Sequence, residues 1–170
     1  PVAGGAVGGS FELGGHVSGL STEAVTAMKS AGMTWVKKQL VYNVGDGTGQ
    51  AQAWLTDAKA NGFKLLIGIV GADKNALGTS FDSYVQGYAE FVGNVAALGV
   101  DAIEVWNEPN IYREWPAGQV NGANYTKMLA AAYNAIKTKS PGTIVISGAP
   151  APTGFFGTAG CTANGCNDDV

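Results

Sequence analysis

The stretch from residue 101 to 110, DAIEVWNEPN, places a carboxylate between two amides at the end of an alternating strand pattern. Glu108 is that carboxylate, and the neighbouring Asn107 offers both a donor and an acceptor to a hydroxyl-rich ligand. Flat rings on which a sugar can stack lie in or just after the same stretch: Trp106, Tyr112 and Trp115. These residue types together indicate acid–base chemistry on a carbohydrate.

Hydrolysis of a glycosidic bond needs a second carboxylate, about 5–5.5 Å from the first in retaining enzymes and up to about 9.5 Å in inverting ones. Glu104 lies on the same predicted strand, roughly 13 Å from Glu108 at ~3.3 Å per residue, which is too far. We expect Glu104 to pair with Lys37 inside the fold, because a buried charge needs a partner. Asp73 and Glu114 are weaker candidates for the mouth of the site.

The elements that must position these residues alternate along the chain. The patterns predict five strands, at 10–17, 34–42, 64–70, 101–108 and 143–150, and four helices, at 21–32, 50–62, 81–98 and 124–139. Strict alternation of strands and helices with short connections predicts an α/β protein with a parallel sheet. An open doubly wound sheet and a (β/α)₈ barrel are the two competing architectures.

Polar residues inside the predicted strands favour the barrel, since a barrel lumen can hold layered polar groups near its active-site end. Such residues share one face of the first, second and fourth strands: Glu12 and His16, Lys37 and Gln39, Glu104 and Glu108. A complete barrel takes eight strand–helix units and ~250 residues. The sequence therefore predicts a partial (β/α)₈ barrel, with strands one to about five and four helices.

The partial barrel is predicted over residues 10–157. Residues 1–9 are interpreted as a flexible linker or trimmed N-terminus, and residues 158–170 as a C-terminal loop. That loop contains Cys161 and Cys166, which could form a small disulfide or remain free thiols. A disulfide would fit an oxidising setting, so we expect an extracellular or periplasmic location.

Composition argues against several classes of partner. A net charge of −3 gives no basic surface for nucleic acid or anionic membranes, and no apolar run approaches the ~20 residues that span a bilayer. Two cysteines and the distant His16 make a poor ligand set for a metal ion. The glycines at 45–49 do not follow a dinucleotide-binding pattern, so we expect no cofactor.

Three segments resemble clan A glycoside hydrolases, the retaining (β/α)₈ enzymes, and are similar to their family 39 and family 5-like members: GSFELGGHV, MTWVKKQLV and IEVWNEPNIYREW. The resemblance covers residues 10–157. It implies that Glu108 is the general acid/base and that Asn107 binds the sugar 2-hydroxyl. It also puts three polar residues on the floor of the site: His16, Lys37 and Gln39. The clan's nucleophile lies at the end of strand seven, beyond the five predicted strands.

Three functional hypotheses follow. The chain could be a fragment of a retaining β-glycoside hydrolase that carries the acid/base half of the site and is inactive or nearly so alone. It could instead be a non-catalytic carbohydrate-binding domain, or a self-assembling half-barrel. Because a partial barrel leaves two unpaired edges, we expect copies to associate as a homodimer or larger homo-oligomer.

Overall fold

The computed structural model describes residues 11–152. Within this range the elements are β1 Leu13–His16, α1 Thr22–Ser30, β2 Met33–Tyr42, α2 Gly49–Ala60, β3 Lys64–Gly71, α3 Lys74–Thr79, α4 Phe81–Ala97, β4 Ala102–Val105, α5 Gly122–Lys139 and β5 Ile144–Ser147. The predictions for residues 1–9 and 158–170, including Cys161 and Cys166, lie outside the described residues.

The five strands form one parallel sheet in the order β1-β2-β3-β4-β5. Each strand therefore pairs with the next strand along the chain, and every connection is a helical crossover. A doubly wound sheet would reverse its strand order at a switch point, and this sheet does not. The predicted α/β fold, a partial (β/α)₈ barrel, is confirmed.

The face of the sheet toward the helices forms the hydrophobic core. Ile67, Ile69, Ile103 and Val105 are fully buried there, in one cluster with Tyr88 of α4. Each such aliphatic side chain contributes about 1.5–3 kcal/mol by leaving water. This layer fixes the strands that carry the candidate site.

The opposite face, which we call the lumen face, carries two rows of residues aligned by the strand register. The first row is His16, Lys37, Leu66, Ala102 and Ile144, and the second is Gln39, Gly68, Glu104 and Ile146. The polar side chains in these rows come from β1, β2 and β4, the three strands for which the sequence predicted polar residues on one face. The second row lies two residues closer to the carboxyl ends of the strands than the first row.

Several local predictions were wrong. β1 spans Leu13–His16 rather than 10–17, and β5 spans Ile144–Ser147 rather than 143–150. β4 ends at Val105 rather than at residue 108, because Trp106 and Glu108 adopt positive φ angles of 69° and 41° that an extended strand cannot contain. A fifth helix, α3, was also not predicted. Asp73 caps it by accepting a hydrogen bond from the Ala76 N–H at 2.8 Å.

None of the helices between residues 11 and 152 is long and apolar enough to cross a membrane. Over the same range, no group of three or more His, Cys, Asp and Glu side chains is placed to hold a metal ion.

Candidate functional site

The chain after β4 turns sharply at the carboxyl end of the sheet. The Trp106 N–H donates to the Ile69 carbonyl at 3.0 Å, and the Glu108 N–H donates to the Ala149 carbonyl at 3.2 Å. Left-handed backbone at a residue other than glycine costs on the order of 1–3 kcal/mol and persists only where the surroundings enforce it. Trp106 and Glu108, on either side of Asn107, both have this backbone conformation. The turn therefore fixes the direction of the Glu108 side chain.

Asn110 ties the same turn to the segment that follows β5. Its buried side-chain amide donates to the Ala151 carbonyl at 2.8 Å, and its side-chain oxygen accepts from the Ala151 N–H at 2.7 Å. The amide thus pairs with the backbone as a neighbouring strand would. The sequence analysis gave Asn110 no role. The only available signal was its position directly after Pro109 in the motif.

The carboxylate of Glu108 is half-buried and forms an ion pair with Arg113, whose Nη2 lies 2.6 Å from Oε2. The same guanidinium reaches Glu114, with 3.4 Å between Nε and Oε1. The pKa of Arg113 is raised, chiefly by its hydrogen bond to Glu108 and then by the nearby negative charge. The sequence analysis did not identify Arg113 as part of the site. The available signal was its positive charge, five residues after Glu108.

Trp106 and Trp115 lie inside the fold, with 1% and 0% of their surfaces exposed. Their rings meet edge to face with centroids 5.4 Å apart, and Trp106 also packs on Tyr88 at 5.5 Å. The prediction that both rings stack on a sugar was wrong, because packing against α4 and against each other leaves neither face open. Tyr112, 53% exposed, keeps its ring at the surface.

Lys37 forms the expected ion pair with Glu104, across the intervening strand β3. Gly68 makes this possible, since a Cβ at that position would lie 2.9 Å from the Glu104 Oε2. Lys37 is therefore committed to a partner inside the lumen. Its predicted place on the floor of a site around Glu108 stays a prediction.

His16 and Gln39 also lie away from Glu108. His16 aligns with Lys37 in the first row of the lumen face, and Gln39 aligns with Gly68 in the second. His16 and Lys37 line a cavity of about 360 Å³ together with Trp35, and neither Glu108 nor Asn107 borders it. The structure thus brings Asn107, Glu108 and Tyr112 together on one loop, and leaves the three predicted floor residues below it.

Other carboxylates that could assist Glu108 are already engaged. Asp73 caps α3, Glu104 pairs with Lys37, and Glu12 lies 2.5 Å from the Lys64 ammonium at the opposite end of the strands. Glu114 remains on the same loop as Glu108, but both carboxylates are bridged by the guanidinium of Arg113. Among the described residues, Glu108 is the carboxylate best placed at the carboxyl end of the sheet.

No protein-family model matches the chain, and no curated protein matches it. Among solved structures, a fructose-bisphosphate aldolase from Slackia heliotrinireducens aligns with 77% of this chain at 21% sequence identity and a TM-score of 0.45. This chain spans 39% of the length of that aldolase.

The assignment to clan A glycoside hydrolases, whether family 39 or family 5-like, is corrected by these comparisons. No family model and no curated protein matches the chain, so membership of that clan has no support beyond the motif. A short motif on a barrel strand is weak evidence of family, because the barrel scaffold supports many unrelated activities at the same end of its strands.

Proposed function

We propose that the loop after β4 is one half of a site for acid–base chemistry on glycosidic bonds, with Glu108 as the acid/base group. The proposal rests on the chemistry of the residues and not on membership of a family. The observation that carries it is the half-buried Glu108 carboxylate at the carboxyl end of a partial barrel, held there on left-handed backbone.

The neighbouring groups suit a hydroxyl-rich ligand. Asn107 is half-buried beside Glu108 and can both donate to and accept from a sugar hydroxyl. Arg113 binds the carboxylate in the free protein, so a ligand must displace or share that contact before Glu108 can transfer a proton. Glu108 would then give a proton to the oxygen of the leaving sugar and later take one from water.

The chain alone should hydrolyse glycosides poorly. A retaining reaction needs a nucleophile about 5–5.5 Å from the acid/base, and an inverting one needs a base with room for a water between the two groups. The guanidinium of Arg113 bridges the carboxylates of Glu114 and Glu108. The space between these two carboxylates is therefore not open to a sugar ring. We therefore propose a half-site whose partner carboxylate comes from outside the described residues.

Hydrolysis of 4-nitrophenyl β-glycosides (glucoside, xyloside and mannoside) tests this proposal. We expect a rate indistinguishable from buffer for the wild type, for Glu108→Gln and for the control Glu90→Gln, an exposed glutamate on α4. A robust rate lost in Glu108→Gln alone would contradict the half-site and identify a second carboxylate within the chain. A robust rate unchanged by Glu108→Gln would remove Glu108 from the chemistry.

A second candidate function, self-assembly, is supported by the open edges of the sheet. β1 and β5 each pair on one side only within residues 11–152, and Ile144 on the lumen face of β5 is 51% exposed. Open edges and exposed aliphatic side chains favour association. We propose that two copies associate through these edges, with β5 of one copy beside β1 of the other.

Sedimentation velocity at micromolar concentration measures this association directly. We expect a dimer for the wild type and for the control Val44→Lys, which changes an exposed loop residue. We expect a shift toward monomer for Ile144→Lys with Ile146→Lys. A folded wild-type monomer at that concentration would rule the assembly out.

An extracellular or periplasmic location stays a prediction.

A further inference from the structure

Two Asn-Gly pairs lie in the described part of the chain, at Asn61–Gly62 and at Asn121–Gly122. An asparagine before a glycine is chemically labile, because the glycine has no side chain to hinder attack by its nitrogen on the asparagine side chain. Asn61 directly follows α2, and Asn121 directly precedes α5. The same dipeptide is therefore present in two different structural settings.

The reaction at such a pair has two steps. The backbone nitrogen of the glycine attacks Cγ of the asparagine, a new C–N bond forms, and the side-chain nitrogen leaves with the glycine N–H proton as ammonia. Water then opens the resulting cyclic imide at one of its two carbonyls, which gives aspartate or isoaspartate. A hydrogen bond that holds the glycine N–H opposes the first step, because that bond must break before the nitrogen can reach Cγ.

The first pair is held by hydrogen bonds of the main chain. The Gly62 N–H donates to the Lys59 carbonyl at 3.0 Å, and the Asn61 N–H donates to the Asp57 carbonyl at 3.2 Å. The Asn61 side-chain amide donates to the same Asp57 carbonyl at 2.9 Å. Gly62 has a φ of 74°, which is typical of a glycine that ends a helix. Attack at Asn61 therefore requires the end of α2 to come apart.

The second pair has an open nucleophile. Gly122 is the first residue of α5, a position whose N–H has no partner inside the helix. Within residues 11–152 this N–H donates no hydrogen bond. Asn121 and Gly122 are both exposed, and a Cβ added at Gly122 would meet nothing within 4 Å. The surroundings therefore leave room for the movement that the attack requires.

The side chain of Asn121 is hydrogen-bonded, but only at the surface. Its Oδ1 accepts from the Asn124 N–H at 2.8 Å, and its Nδ2 donates to the Gln119 carbonyl at 3.0 Å. These bonds cap the first turn of α5, and helix ends open more readily than helix interiors. When the cap opens, Cγ of Asn121 can approach the Gly122 nitrogen, whose N–H has no bond to break.

We propose that Asn121 is a site of spontaneous deamidation, with the nitrogen of Gly122 as the nucleophile, and that the fold protects Asn61. An aspartate product keeps the cap, because its carboxylate accepts from the Asn124 N–H and suits the amino end of a helix. An isoaspartate product places an extra carbon in the main chain between residues 121 and 122, which displaces the capping oxygen. Ageing at this position thus yields a capped and an uncapped form of α5.

Incubation of the folded protein at mildly alkaline pH, followed by mass spectrometry of tryptic peptides, tests this proposal. Trypsin puts the two pairs on separate peptides, residues 60–64 and 114–127, and fragmentation of the second peptide distinguishes Asn121 from Asn124. Each deamidation raises the mass of its peptide by about one dalton. We expect Asn121 to react about tenfold faster than Asn61, a difference of about 1.4 kcal/mol in activation free energy.

Two controls separate the structural cause from the local sequence. In urea, where the folded contacts are lost, the two rates should become similar. Gly122→Ala should slow the reaction at Asn121 several-fold, because its methyl group hinders the attacking nitrogen while the open space there leaves the fold intact. Equal rates in the folded protein, no reaction at Asn121, or an excess at Asn121 that persists in urea would each overturn the proposal. An unchanged rate in Gly122→Ala would overturn it as well, since the nitrogen of residue 122 would not be the nucleophile.

Discussion

The side chain of Asn110 and the backbone of Ala151 exchange two hydrogen bonds, of 2.8 and 2.7 Å, although 41 residues separate them in the sequence. This contact ties the loop that carries Glu108 to the segment that leaves β5. It replaces a piece of strand pairing at the point where β4 has already ended. The position of Glu108 therefore depends on β5 as well as on its own strand.

Asn110→Ala should lower the free energy of unfolding by about 2–3 kcal/mol, because it leaves a buried N–H and a buried carbonyl of Ala151 unpaired. Urea denaturation measures the change. Asn134→Ala, at an exposed position of α5, is the matched control and should cost nothing. Equal stability of Asn110→Ala and the wild type would mean that the two hydrogen bonds do not hold the loop.

Gly68→Ala should destabilise the protein by roughly 1–3 kcal/mol. The added Cβ would lie 2.9 Å from Glu104 Oε2 and 3.5 Å from Lys37 Cε, so the ion pair would have to shift. Gly142→Ala, where an added Cβ meets nothing within 4 Å, is the control. Thermal unfolding of the two variants distinguishes steric conflict in the lumen from a general cost of replacing glycine.

Glu104→Gln should cost roughly 1–2 kcal/mol of stability, because it leaves the partly exposed Lys37 ammonium without its charged partner in the lumen. Adding Lys37→Met should recover part of that loss. A double-mutant cycle by chemical denaturation measures the coupling. The exposed pair Glu12–Lys64 is the comparison and should couple much more weakly. Additive losses at Lys37 and Glu104 would show that the pair contributes nothing as a unit.

The carboxyl group of Glu12 should make the stability of the protein depend on pH. Its pKa is lowered, first by the hydrogen bond from Lys64 and then by the one from Trp35. A lowered pKa in the folded state contributes stability above the unfolded-state pKa, and this contribution is lost as pH falls through the folded-state value. The advantage of the wild type over Glu12→Gln should thus be present at pH 7 and disappear in strong acid. An advantage that grows on acidification would contradict the assignment.

The order of strands and helices was predictable because it depends on local patterns. Alternation within β2 and β4 put Lys37 and Glu104 on one face, and their pairing followed from the need of a buried charge for a partner. The short helix α3 was missed because six residues carry too little periodicity to be distinguished from a loop.

The contacts around Glu108 were less predictable because they come from distant parts of the chain. Trp106 packs on Tyr88 of α4, and nothing local distinguishes an aromatic ring that packs in a core from one that stacks on a ligand. The Asn110–Ala151 pairing requires knowledge of where β5 ends. The family assignment failed for a related reason, since a motif of a few residues on a common scaffold does not identify a family.

Calorimetric titration of the wild type, Glu108→Gln and the control Glu90→Gln with xylohexaose, cellohexaose and mannohexaose tests the central claim most directly. If Glu108 belongs to a carbohydrate site, at least one hexaose should bind the wild type and Glu90→Gln equally. The same hexaose should bind Glu108→Gln about tenfold more weakly, the loss expected when a charged acceptor to a ligand hydroxyl is removed. Equal affinity of all three proteins, or no binding of any hexaose to the wild type, would contradict the claim.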